Sequence, residues 1–137
     1  MSKITFVDTL FIVALINQRD QYHNRAVELA DRYEGQRFLI TDAVLLEIGN
    51  ALARNYKRQA IEIIEQFSSS GDVQVVQLTP ALFQEAFTLY RAHEDKEWGL
   101  VDCISFIVMH QLGVREALTF DQHFVQAGFT ALMRYVA

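Results

Sequence analysis

A single cysteine in 137 residues excludes an internal disulfide framework and any cysteine-based zinc cluster, and it fits a reducing cytosol. Long apolar runs are also missing. The longest, residues 98–113, holds Asp102, His110 and Gln111, so it reads as a buried helix and falls short of the ~18 uncharged residues of a membrane span. The apolar N-terminal stretch is broken by Asp8 and no small-residue cleavage site follows, so no secretory leader is expected. Positive charge is scarce: 12 Lys plus Arg stand against 17 Asp plus Glu, a net −5. Overall charge therefore gives no general attraction to nucleic acid, and any work on a phosphodiester must use local basic residues or bound cations. There is no Gly-rich phosphate loop and no G-x-S-x-G elbow.

What is present is a globule. Hydrophobic residues make up 51% of the chain and Phe alone occurs 10 times, which argues against disorder. One domain over residues 1–137 is expected, large enough to bury roughly 68–70% of its unfolded surface. Apolar, β-branched runs predict strands at 3–7, 37–41, 73–78, 117–120 and 129–132. Helical spacing predicts helices over 9–17, 22–33, 42–54, 60–67, 80–93 and 100–112. Ile61, Ile64 and Phe67 form one helical stripe, and Leu82, Phe83, Ala86, Leu89 and Tyr90 are expected to face inward on another. Thr79-Pro80 has the residues of a helix start, Ser68 to Asp72 those of a turn, and Gly113 closes its helix. Strand–helix alternation of this kind points to an α/β protein with a mostly parallel sheet covered on both faces.

Four acids stand out against this frame. Asp8 and Asp121 follow predicted strands, where open parallel sheets bind ligands; Glu47 and Asp102 lie within apolar helices. Each has a bland explanation. Asp8 and Asp121 could cap the helices that follow them, and Glu47 could lie on a solvated face. Asp102 is harder to dismiss, because its helix is apolar nearly all round. Two carboxylates ~4 Å apart repel by about 4 kcal/mol at an effective dielectric of 20, so a converging set either takes up protons or binds cations. Oxygen-only ligation suits Mg²⁺ or Mn²⁺, ions that hold phosphates and activate water for phosphodiester hydrolysis.

The stretches "FVDTLFIVALI", "TDAVLLEIGNAL", "DKEWGLVDCISF" and "LTFDQHFVQAGF", in that order across nearly the whole chain, resemble a PIN-domain protein. The likeness is to the VapC-type toxin nucleases of bacterial toxin–antitoxin pairs and their orphan relatives. It implies a three-layer α/β/α sandwich with a central, mostly parallel sheet of about five strands. It also implies a Mg²⁺- or Mn²⁺-dependent ribonuclease, cytoplasmic, acting on RNA. A small antitoxin would block the pocket, and two copies would pair, with the helices around residues 44–67 as the candidate surface. Carried over residue by residue, Asp8, Glu47, Asp102 and Asp121 are the catalytic acids and metal ligands, with Thr9, Asn50 and Thr119 as polar accessories. One position departs from the pattern: relatives commonly have a serine three residues before the third acid, where this chain has Gly99. That departure leaves open a weak or inactive PIN-fold module acting through protein partners.

The other residues are less specific. Arg54, Lys57 and Arg58 form the densest basic group, and Lys96 precedes the Asp102 helix; these four are candidate RNA contacts, solvated otherwise. His23, His93, His110 and His123 form no i, i+4 ligand pair and read as surface or packing residues, although His123 lies near Asp121. Cys103 reads as a small core residue, and Trp98 either packs inward or lines the site mouth. Two rivals fail on single residues. A haloacid-dehalogenase-type phosphatase needs a second Asp where this chain has Leu10, and a phosphoacceptor receiver needs an acidic neighbour for Asp8.

Overall fold

A computed structural model of the chain describes residues 3–134. In chain order the elements are β1 (Ile4–Val7), α1 (Thr9–Ile16), α2 (His23–Arg32), β2 (Arg37–Thr41), α3 (Asp42–Leu52), α4 (Lys57–Ser69) and β3 (Val73–Val76). There follow α5 (Pro80–Ala92), α6 (Leu100–Gln111), β4 (Glu116–Leu118), α7 (Gln122–Gln126), β5 (Thr130–Ala131) and a 3₁₀ turn (Leu132–Arg134).

The five strands form one parallel sheet in the order β3-β2-β1-β4-β5. The chain winds outward from β1 through β2 to β3, crosses back to β4 on the other side of β1, then continues to β5. Right-handed crossovers taken in opposite directions place helices on opposite faces, which gives the expected three layers. The side chains agree. Val7, Phe38 and Leu118 point into a cavity shared with α1, α2 and α4. Phe6, one residue before Val7 and so on the other face of the pleat, meets Phe124 of α7, which meets Phe106 of α6 edge-on. Connections leave β1 and β4 in opposite directions, so their carboxyl ends diverge and open a crevice.

Several boundaries differ from the sequence expectation. Helix α4 begins at Lys57, a turn before residue 60, so Lys57 and Arg58 belong to its first turn. Strand β3 stops at Val76, where the chain turns so that the Leu78 N–H meets the Asp42 carboxylate. Strand β4 ends at Leu118, two residues earlier than expected. The stretch at 129–132 is a two-residue strand running into the 3₁₀ turn. Phe83 and Tyr90, expected to face inward, are exposed, as is Ile61 on the α4 stripe. Leu82 and Ala86 suffice to seat α5 on α6, so the neighbouring aromatic stripe is left outside. Trp98 packs inward: it is buried, its indole N–H donates to Gln126 at 2.9 Å, and its ring meets Phe106 edge-on. Among the described residues no helix is long and apolar enough to cross a membrane.

Candidate active site

Strand β1 ends at Val7, and Asp8 starts the turn into α1 with an extended backbone. Its carboxylate caps nothing; it turns across the crevice and accepts the Thr119 hydroxyl at 2.8 Å. Thr119 follows β4 and is fully buried, and its Oγ1 also accepts the Asp121 N–H at 3.1 Å. One hydroxyl therefore fixes both strand-end acids. Asp121 does cap its helix, accepting the His123 N–H at 2.9 Å.

The other two acids arrive on helices. Thr41, the last residue of β2, caps α3 through Val44 and so sets the phase that brings Glu47 towards β1. The Thr9 hydroxyl, at the start of α1, donates to Glu47 at 2.7 Å. Asp102 lies in the first turn of α6, where its carboxylate accepts the Gly99 N–H at 3.0 Å, close to the helix's positive end. Asp8, Glu47, Asp102 and Asp121 line one cleft of about 520 Å³ together with Thr9 and Asn50.

The cleft carries negative charge with little to offset it. No Lys or Arg is among its lining residues. Burial pushes the Asp8 carboxyl up to about 7; the Thr119 hydrogen bond opposes this, and the charges of Asp102, Glu47 and Asp121 add to it. Burial also raises Glu47, against its bond from Thr9, with the Asp102 charge adding. Asp102 is raised by burial, opposed by the Gly99 N–H, raised by Asp121 and lowered by His123. Buried carboxylates whose protons are held against their ordinary acidity are a donor set that a hard divalent cation would satisfy, and the residues present fit one.

Among the described residues, the histidine assigned to surface or packing at the sequence level belongs here. His123 Nδ1 lies 3.2 Å from Asp102 Oδ2 and 3.4 Å from Asp121 Oδ1. The signal in the sequence was its position two residues after Asp121, which a short capped turn folds back onto the same face. Asn50 is exposed on the rim, one turn beyond Glu47. Arg54, Lys57 and Arg58 are exposed outside the cleft, and Lys96 pairs with Asp95 at 2.8 Å. Cys103 is buried, and burial next to Asp102 pushes its thiol up to about 11, so it holds its proton at neutral pH. Gly99 has φ −81°, and a Cβ there would stand 3.8 Å from Asp102 Oδ2, so nothing in the backbone requires glycine.

Sheet and cleft together define an α/β protein that concentrates carboxylates at the switch point of a parallel sheet. The chain belongs to the PIN domain family, whose model matches residues 5–130. It is 32% identical over 124 residues to the 23S rRNA-specific endonuclease VapC20 of Mycobacterium tuberculosis, covering 90% of this chain and 94% of that one. A VapC ribonuclease of Aquifex aeolicus is 23% identical over 104 residues, 74% of each chain. The crystal structure of the Mycobacterium VapC20, described as a sarcin-ricin loop cleaving toxin, superposes with a TM-score of 0.82 at 30% identity, covering 93% and 97% of the two chains. FitAcB of Neisseria gonorrhoeae shares the fold, with a TM-score of 0.63 at 16% identity over 93% and 94%.

Proposed function

We propose that this chain is an endoribonuclease that hydrolyses RNA phosphodiesters, the toxin of a toxin–antitoxin pair or an orphan relative, and that it works with Mg²⁺ or Mn²⁺. The observation that carries this reading is the convergence of Asp8, Glu47, Asp102 and Asp121 on one cleft with no basic side chain lining it. A polyanionic substrate would be repelled by such a cleft, so a bound cation is what makes the two compatible. The likeness to a 23S rRNA-specific endonuclease makes a ribosomal RNA stem-loop the first substrate to test.

Asp8, Asp102 and Asp121 would hold the ion, with Glu47 completing the site or holding a second one. A divalent cation there supplies positive charge against the phosphate and makes nearby water more acidic. The chain's own residues prepare for that. Thr119 fixes the Asp8 carboxylate, Thr9 fixes Glu47, and the Gly99 N–H fixes Asp102, so the oxygens are set before any ligand arrives. Asp8 carries its proton at pH values below about 7 and must release it when a cation binds. Asn50 on the rim and the exposed Arg54, Lys57 and Arg58 would contact the RNA backbone, Lys96 less directly because Asp95 already pairs with it.

RNA as substrate puts this work in the cytoplasm. The partner that fits a toxin of this kind is a small antitoxin covering the cleft, and the exposed apolar helix faces suit a second copy of the chain. The alternative, an inactive binding module, rested on Gly99; its N–H already supplies a hydrogen bond to Asp102, which counts against that alternative. Cleavage of structured and unstructured RNAs with Mn²⁺ is the test. Asp8→Asn, Asp102→Asn or added EDTA should each abolish it, and a rate untouched by all three would sink the reading.

A further inference from the structure

His123 lies where no carboxylate-only site needs a side chain, and its geometry is specific. Its Nδ1 is 3.2 Å from Asp102 Oδ2 and 3.4 Å from Asp121 Oδ1. Single donor atoms of Asp102, Asp121 and His123 all fall within 4.8 Å of one another. Ligands ~2.1–2.2 Å from a six-coordinate ion stand roughly 3 Å apart along adjacent edges of the octahedron. Two of the three edges of that triangle therefore already have the spacing of an octahedral face.

The placement is built in. The Asp121 carboxylate that faces the ring also accepts the His123 N–H, so the cap of the five-residue α7 holds the backbone of His123 beside that carboxylate. Asp102 is fixed from the other side by the Gly99 N–H. Nδ1 carries either a proton, making His123 a donor that braces two carboxylates, or a lone pair aimed between them.

Resting on the divalent-cation reading above, we propose that His123 is a nitrogen ligand of that cation, so that the Asp102–Asp121–His123 face is a mixed nitrogen–oxygen site that selects Mn²⁺ over Mg²⁺. Imidazole nitrogen is a ligand for transition ions and contributes little to Mg²⁺, whereas an all-carboxylate site discriminates much less between the two.

Pulsed electron paramagnetic resonance of the intact chain loaded with Mn²⁺ tests this without reference to activity. The wild type should show the ¹⁴N coupling of one imidazole, and His123→Ala should lose it. Titration with Mg²⁺ should displace Mn²⁺ from His123→Ala at concentrations lower by roughly tenfold. A wild type that binds Mn²⁺ with no nitrogen coupling, or a His123→Ala protein that keeps the coupling, overturns the proposal and leaves the ribonuclease reading standing. A wild type that binds no Mn²⁺ brings down both. The wild-type spectrum decides the first point even where the variant folds poorly.

Discussion

At the scale of single residues, Asp8 is costly to stability. Its carboxyl moves from an ordinary 3.8 to about 7, chiefly because it is buried. Between those values the folded chain holds a proton that the unfolded chain has released. Without metal, stability therefore falls as pH rises from about 4 to about 7 and stays at its lower level above. Three pKa units at 1.36 kcal/mol each set an upper limit of about 4 kcal/mol. Asn at this position keeps an oxygen for the Thr119 hydroxyl and has no charge to bury. Metal-free Asp8→Asn should thus be more stable than the wild type at pH 8, by about 2–4 kcal/mol in chemical denaturation, with the gap closing towards pH 4. A variant no more stable at pH 8 would mean that burial of this carboxylate is not costly. Gly99 offers a second test. It begins α6 without a side-chain cap, in a conformation any residue adopts, with room for a Cβ. Gly99→Ser should gain a few tenths of a kcal/mol by supplying that cap, seen as a higher urea midpoint, and a lower midpoint would show the space is not free.

Elements deliver these residues, and α3 shows how. Thr41 ends β2 and caps α3 in one residue, buried completely, so strand direction and helix phase are locked together. Thr41→Ala should cost about 1–2 kcal/mol and Thr41→Ser should recover most of it, because only the hydroxyl makes the cap. Equal losses in the two variants, read from denaturation midpoints, would instead assign the effect to packing. The same residues show what was legible in the sequence. The acids at strand ends were visible because apolar runs stop at them, α3 and α5 because their apolar stripes are periodic, and α6 because its apolar run lies between Gly99 and Gly113. The partners of those acids were not. That Thr119 would bond to Asp8 across 111 positions, and that His123 would swing back onto Asp102, depend on the sheet order and on a five-residue helix too short for periodicity to reveal. The α5 stripe misled for a related reason: spacing marks a face as apolar but does not say whether the chain's own core reaches it.

That leftover face is a property of the whole molecule. Phe83, Phe87 and Tyr90 are exposed in a row along α5, with ring centroids 6.2 and 6.3 Å apart and the Arg91 guanidinium 4.9 Å above Phe87. Phe83, Phe87 and Tyr90 keep 40, 37 and 42% of their surface in water, so each forfeits under half of the roughly 1.5–3 kcal/mol that full burial is worth, but the three do so side by side rather than scattered. Surface at residues 44–67 was the first candidate for pairing, and Leu46 and Ile61 are indeed exposed there. The α5 row offers larger side chains and a cation poised over a ring, so it is the better anchor for a second copy. A symmetric pair across α5 would bring each row against its twin and leave the acidic cleft, at the carboxyl edge of the sheet, outside the contact. The wild type is therefore expected to be a dimer by light scattering at micromolar concentration, and Phe87→Glu a monomer. Because Phe87 lines none of the acidic cleft, Mn²⁺ binding should be unchanged in that monomer. A monomeric wild type would remove α5 as a pairing surface, and a Phe87→Glu dimer would shift the contact to α3 and α4, where Leu46→Glu tests it next.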